Sequence, residues 1–396
     1  MGKYRRTLHL IPHTRWRREW HLTYQQTRLR LVALIDKLLD ILEADPGYQH
    51  FTLDGQTILL DDYLEIRPER AETIRRHVQS GRLLIGPWYI IPDEFLVGPE
   101  ALIRNLLEGI RGAGRFGPCM DVGYLPDSCG HIGQLPQILR GFGIDAAALI
   151  SGLGDQPLEL WWESPDGSRV LLCHLRDGPD NAADLPTDQA AFNQAIQRLR
   201  DDLIPYAQTR HLPLLNGADP QPEIPALMAG AQSELGRDRL MHSSLPTYIG
   251  GVRRSRAGFP AIYGELRSSQ RQPLLRGTLS ARMWIKQRNH AVETLLAGWA
   301  EPFSAWAGLG NGSAGRLADP VPAVRHAWRL LMHNHAPASI GGYSADQVHE
   351  EMRVRFDQAE QIGQEITRQS LISLAERADT SALPADNLDG AIVVFN

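Results

Sequence analysis

Much that would place this chain in a familiar class is scarce in it. It has three cysteines, Cys119, Cys129 and Cys173, in 396 residues. They are too few and too scattered for a disulfide framework or a zinc ribbon. Positive charge is not in excess: 41 Lys and Arg face 46 Asp and Glu, a formal net charge of −5, which speaks against a nucleic-acid-binding surface. No apolar run is long enough to span a bilayer. The opening MGKYRRTLHLIPHTR has too short an apolar core for a signal peptide. The expectation is a soluble, reduced, cytoplasmic protein with neither nucleic acid nor membrane as partner.

What is present is core-forming material, 43% hydrophobic, in two patterns. In the first, short apolar runs alternate with helical periodicity. Runs at Tyr4–Ile11, Phe51–Leu53, Leu83–Ile91, Val122–Leu125, Ala146–Ile150, Val170–His174 and Leu212–Leu215 read as strands. Between them lie helical stretches such as Glu19–Glu43, closed by Asp45-Pro46-Gly47, and Pro99–Arg115. Alternation of this kind implies an α/β sheet or barrel with its functional groups at the carboxyl ends of the strands. In the second pattern, Leu274–Ala307 and Val321–Arg377 are helical throughout, with GLGNGSAG at 308–315 as a flexible joint. The chain closes on AIVVFN, a strand without an evident mate.

One stretch conflicts with simple helix logic. Residues 13–20 read HTRWRREW, between an apolar run and a long helix, and put three arginines where a helix dipole favours acids. Elsewhere PDSCGH at 126–131 and NGADPQP at 216–222 place carboxylates just beyond strands.

Several segments resemble the glycoside hydrolase family 38 α-mannosidases. They are FTLDGQTILLDDYLEIRPE (51–69), GRLLIGPWYIIPDEFLVGPEALIRNLLEG (81–109), GYLPDSCGHIGQLPQILRGFGID (123–145), YGELR (263–267), LSARMWIKQ (279–287) and HNHAPASIGGYSADQVH (333–349), in that order. The resemblance implies a seven-stranded β/α barrel over 1–262 and a helical bundle domain over 263–385. Residues 386–396 would begin a C-terminal β domain that the family carries and this chain lacks. A homo-oligomer or a partner chain would then supply it. The implied activity is retaining hydrolysis of α-mannosides, with a mannose-containing glycan as partner. An aspartate attacks the anomeric carbon while a second carboxyl group protonates the leaving oxygen.

Carried over residue by residue, the nucleophile falls on Asp127, where PDSCGH stands for the family's PDSFGH. The acid/base falls on Asp219, in a loop resembling NGxDH but continued by Pro220. The family's zinc positions in HTHWDREW fall on Arg15 and Arg17, and that of HPHDSIxG falls on Pro337, followed by Ala338 in place of Asp. Arginine offers no lone pair, so of the four ligands only Asp127 is kept and no zinc cofactor is expected. His13, His333 and His335 occupy positions the family does not use as ligands. The arginines then answer a carboxylate: Arg15 or Arg17 should pair with Asp127, while Arg18 is as well explained by solvent. Loss of Arg15 should cost more stability than loss of Arg18. Further pocket candidates are Trp88, Asp93, Glu265, Arg267 and Arg282. Asp54 should hold a loop, and Tyr343 and Asp346 should cap a helix. Two outcomes stay open: a mannosidase in which guanidinium groups replace the metal, or a degenerate homologue that binds carbohydrate or a partner without turnover.

Overall fold

A computed structural model describes residues 6–178, 180–183, 185–217, 219–255, 257–309, 319–379, 381 and 392–395. Most of the expected joint at 308–315 and the expected domain start at 386–391 lie outside them. Strands and helices alternate through β1 (Thr7–Pro12), α1 (Tyr24–Ala44), β2 (Phe51–Thr52), α2 (Ile58–Leu64), α3 (Ala71–Gln79), β3 (Leu83–Leu84), α4 (Pro99–Gly114), β4 (Gly123–Leu125), α5 (Leu135–Gly141) and β5 (Ala146–Leu149). They continue through β6 (Glu159–Glu163), β7 (Arg169–His174), α6 (Gln189–Leu203), β8 (His211–Asn216), α7 (Ile224–Gln232), β9 (Arg239–His242), α8 (Leu245–Arg254) and β10 (Ala261–Tyr263). Helices follow: α9 (Met283–Leu295), α10 (Glu301–Gly308), α11 (Val321–Met332), α12 (Pro337–Gly341) and α13 (Asp346–Ala375).

The fold is α/β, as the alternation implies. Its strands are hydrogen-bonded as three sheets among the described residues and do not form one ring of seven. The orders are β8-β1-β9, β10-β6-β7-β5-β4 and β2-β3. Two features explain the difference from the barrel expected. The expected strand Leu83–Ile91 stops after Leu84, because Gly86 takes φ 76° and Pro87 has no N–H for a ladder. The hairpin β6–β7 is antiparallel, and β6, β9 and β10 add strands of only five, four and three residues.

Burial follows the parallel-sheet rule. In β1 and β8 nearly every residue is buried on both faces, so they read as continuous apolar runs. Leu8 and Leu10 of β1 pack with Leu212 and Leu214 of β8 and with Leu31, Ile35, Leu38 and Leu42 on one face of α1. A second core under β4, β5 and β7 gathers Tyr124, Ala148, Leu171 and Cys173. All three cysteines are free thiols.

Two compact units result. The first takes residues 1–281 together with 335–348, and the second 282–334 together with 349–396. The first therefore reaches about twenty residues beyond the expected boundary at 262 and takes back a later segment. Backbone bonds tie that segment in: Asp93 N donates to His335 O (3.0 Å), and Ala345 N donates to Trp20 O (2.7 Å). The second unit is helical. Trp284 packs edge-on to Phe356 of α13, and Arg288 pairs with Asp357 and Glu360. No helix among the described residues is long and apolar enough to cross a membrane.

Candidate active site

The parallel strands of the first unit end on one set of loops. Pro12 closes β1 and leads into His13–Arg18; Leu125 closes β4 and leads into Pro126-Asp127-Ser128; His174 closes β7 and leads toward Asp177 and Asp180. These loops enclose a cavity of about 980 Å³, within the range of small-molecule sites, lined by Arg15, Arg17, Trp20, Asp127, Asp180 and Tyr343 among others.

The arginines of HTRWRREW do not stand at a helix N-terminus. The helix begins only at Tyr24, and residues 14–17 are loop. Arg15 and Arg17, two apart, reach the same carboxylate. Arg15 Nε donates to Asp127 Oδ1 at 2.6 Å, with Nη2 2.5 Å from the same oxygen. Arg17 grips both oxygens, Nε to Oδ2 at 3.1 Å and Nη2 to Oδ1 at 3.2 Å. Arg15 Nη1 also reaches Asp180 Oδ2 at 3.2 Å, so one guanidinium links two carboxylates. The Arg17 guanidinium lies 4.2 Å from the centroid of Trp20, a cation–π contact that fixes its far side. Burial alone would lower the Arg15 pKa, but Asp127 and then Asp180 outweigh it and push it up.

Arg18 turns the other way and is not a solvent residue. It is buried, donating to both oxygens of Asp62 at 2.8 and 3.0 Å, with its guanidinium 3.7 Å from the Tyr24 ring centroid.

Behind Asp127 lies a second carboxyl group, Asp54, only 1% exposed and held at φ 49°. Burial drives its pKa well above the ordinary value and the Asp127 charge adds to this, against weaker help from Gln56, the Trp16 amide and Arg15. Cys129 lines the cavity, yet burial first, then Asp93 and Asp127, push its thiol up to about 11, so it is a poor nucleophile. His13 meets the Tyr124 hydroxyl at 3.2 Å and stands 4.0 Å from Asp180. Gly217 permits this approach, since a Cβ there would collide with Asp180 Oδ1 and stand 2.8 Å from His13 Nε2.

A small adjoining cavity of about 30 Å³ is lined by Arg17, Asp127, Ala336, Pro337, Ala338 and Tyr343. Glu19 and Ser339, 320 positions apart, close it with a 2.7 Å hydrogen bond. The positions of Arg15, Arg17, Asp127 and Pro337 are thus brought around one carboxylate. Among the described residues, no group of three or more His, Cys, Asp or Glu is placed to hold a metal ion.

Other sequence candidates lie elsewhere. Trp88 is wholly buried among Ile91, Leu106 and Leu125, a core residue. Asp93 is buried and caps its own loop, accepting from Phe95 N. Glu265 and Asp219 are exposed, and neither lines the cavity. Arg267 lies over the Phe95 ring, and Arg282 precedes α9 in the second unit. His335 is buried, and burial lowers it to about 3, so it stays neutral. Asp180 and Tyr343 are among the cavity residues not singled out for it. Asp180 follows a strand end, the signal used for Asp127. Tyr343 belongs to a later segment, and only its packing reveals it.

An α/β frame that gathers carboxylates at its strand ends around a sugar-sized cavity is the frame of a glycoside hydrolase module. Residues 5–233 match the family model described as Glycosyl hydrolases family 38 N-terminal domain, and the chain belongs to that family. It is 37% identical over 380 residues to "Putative mannosylglycerate hydrolase" of Halalkalibacterium halodurans, covering 90% of this chain and 41% of that one. Similarity to human "Alpha-mannosidase 2C1" is 22% over 377 residues, covering 90% of this chain and 34% of the relative. Among solved structures, an α-mannosidase from Enterococcus faecalis V583 superposes with TM-score 0.91 at 34% identity, covering 96% of this chain and 44% of that one. The chain therefore spans less than half the length of these relatives.

Proposed function

We propose that this chain is the sugar-cleaving module of an α-mannosidase-like hydrolase that works without zinc. The observation that carries the reading is Asp127, held by Arg15 and Arg17 at the mouth of a sugar-sized cavity. A catalytic zinc takes about three protein ligands from His, Cys, Asp or Glu. At the family positions only Asp127 offers a lone pair, so the donor set does not fit zinc. Two guanidinium groups supply the positive charge that otherwise would come from the ion. They hold the Asp127 carboxylate in one orientation, as a nucleophile attacking an anomeric carbon requires. Asp219, on the loop after β8, is the acid/base by correspondence with the family motif alone, since it is exposed and does not line the cavity.

The name of the Halalkalibacterium relative suggests one substrate, an α-mannoside whose aglycone carries a carboxylate. Arg276, which lines the cavity, would receive that group. The three free thiols suit a reducing, cytoplasmic setting. The test is hydrolysis of an aryl α-mannoside and of α-mannosylglycerate by purified protein, with chelator and with added zinc. Turnover that survives chelation and is abolished in Asp127→Ala is expected. Turnover that appears only with zinc would overturn the metal-free reading. No turnover, with carbohydrate still bound, would favour the degenerate homologue.

A further inference from the structure

We infer that Asp54 and Gln56 form a clamp that sets the two arginines against Asp127, acting as positioning residues for the site. The inference rests on the reading of Asp127 as the site's working carboxylate, and it starts from the one residue lying between Arg15 and Arg17. Trp16 supplies both groups that are held. Its amide donates to Asp54 Oδ2 at 2.9 Å, and its carbonyl accepts from Gln56 Nε2 at 3.0 Å. The same Gln56 nitrogen donates to Asp54 Oδ2 at 2.6 Å, closing the clamp on itself. Gln56 Oε1 accepts from Ile91 N at 3.2 Å, which anchors the clamp to the neighbouring loop.

The consequence for the arginines is geometric. Arg15 and Arg17, two apart, both leave the loop toward Asp127. Fixing the N–H and C=O of the residue between them fixes the plane from which both side chains leave. Trp16 N–H and C=O belong to no strand ladder, so without the clamp the backbone between Thr14, whose N donates to Thr52 O (3.1 Å), and Arg18, paired with Asp62, would be held only through the Arg15 and Arg17 side chains.

Two features argue that Asp54 is placed for this purpose and not merely tolerated. It holds a left-handed backbone, φ 49°, which a residue with a Cβ keeps only where its surroundings impose it. It is also a buried carboxyl group whose Oδ1 makes no hydrogen bond among the described residues. A loop needing only a turn here would be served by glycine, which the next position, Gly55 at φ 68°, already uses.

That point supplies the decisive variant. Asp54→Gly removes the clamp while relieving the backbone, so the fold should persist. Asp54→Asn tolerates the same φ and keeps an acceptor for Trp16 N–H. The readout is solvent exchange of the Arg15 and Arg17 Nε–H protons, followed by NMR on selectively labelled full-length chain, which needs no turnover. Exchange should quicken about tenfold or more in Asp54→Gly, as held groups are freed, and stay near the parent in Asp54→Asn. Should Asp54→Gly fail to fold, Gln56→Met breaks the carbonyl half and should quicken the same two protons. Unchanged exchange in a folded clamp-less variant overturns the inference, as does quickening in Asp54→Asn equal to that in Asp54→Gly. A parent that exchanges slowly but hydrolyses nothing would overturn the proposed activity and leave the clamp standing.

Discussion

The three neighbouring arginines have unlike surroundings, and their energetics should differ accordingly. Arg18 is buried with Asp62, so Arg18→Ala leaves a carboxylate without its cation inside the protein. Breaking such a pair costs about 3–5 kcal/mol. Arg15 is about a third exposed, and its loss still leaves Asp127 paired with Arg17. After discounting for screening, Arg15→Ala should cost only about 1 kcal/mol. Urea unfolding of both variants checks this; a larger loss for Arg15→Ala would contradict it. The ordering is the reverse of that expected from sequence, where alternation alone cannot say which of the three arginines finds a buried acid. Asp62 sits in α2, 44 positions beyond Arg18, and no local pattern connects them.

At the scale of elements, α4 shows how a helix is seated beneath the site. Its amphipathic run and Pro99 at the first turn were readable, and the helix forms over Pro99–Gly114. What was not readable is why Gly109 stands in its middle, where glycine costs about 1 kcal/mol relative to alanine. A Cβ there would lie 2.5 Å from Tyr89 N, and closer still to Pro87 O and Trp88 C. The helix thus packs directly on the backbone of the loop after β3. Gly109→Ala should destabilise by about 3 kcal/mol, despite its better helix propensity, because rigid backbone on the far side cannot give way. Gly114→Ala, which meets nothing within 4 Å, should be neutral or stabilising. Thermal melts of the two variants test the contrast, and equal effects would mean α4 can shift to make room.

Across the molecule, the segment 335–348 belongs to the same compact unit as the loops after β1 and β4. Pro337 and Ala338 line one small cavity with Arg17 and Asp127. If the family correspondence proposed above holds, the combined variant Arg15→His, Arg17→Asp, Pro337→His, Ala338→Asp should bind zinc, since these positions lie close to Asp127. Each single reversion should fail, since it leaves an arginine or an incomplete donor set, so the gain should be strongly non-additive. Calorimetric titration of zinc into the folded variants and the parent decides the matter. A fourfold variant binding no more tightly than the parent would show that the residue correspondence is wrong.

The sequence alone determined the α/β alternation, the helical second half, the ancestry and the pairing of Asp127 with arginine. Each depends on local periodicity or on a contiguous motif, and arginine at residues 15 and 17 left few partners but an acid. Tertiary structure decided the rest. It grouped the strands in three sheets, because pairing depends on which short edges meet and not on how apolar each one is. It sent Trp88 to the core and left Asp219 and Glu265 exposed. It chose Asp180 and Tyr343 for the cavity, and set Asp54 behind the arginines. Those assignments rest on which loops close together in space, a property of the packed core that no single segment encodes.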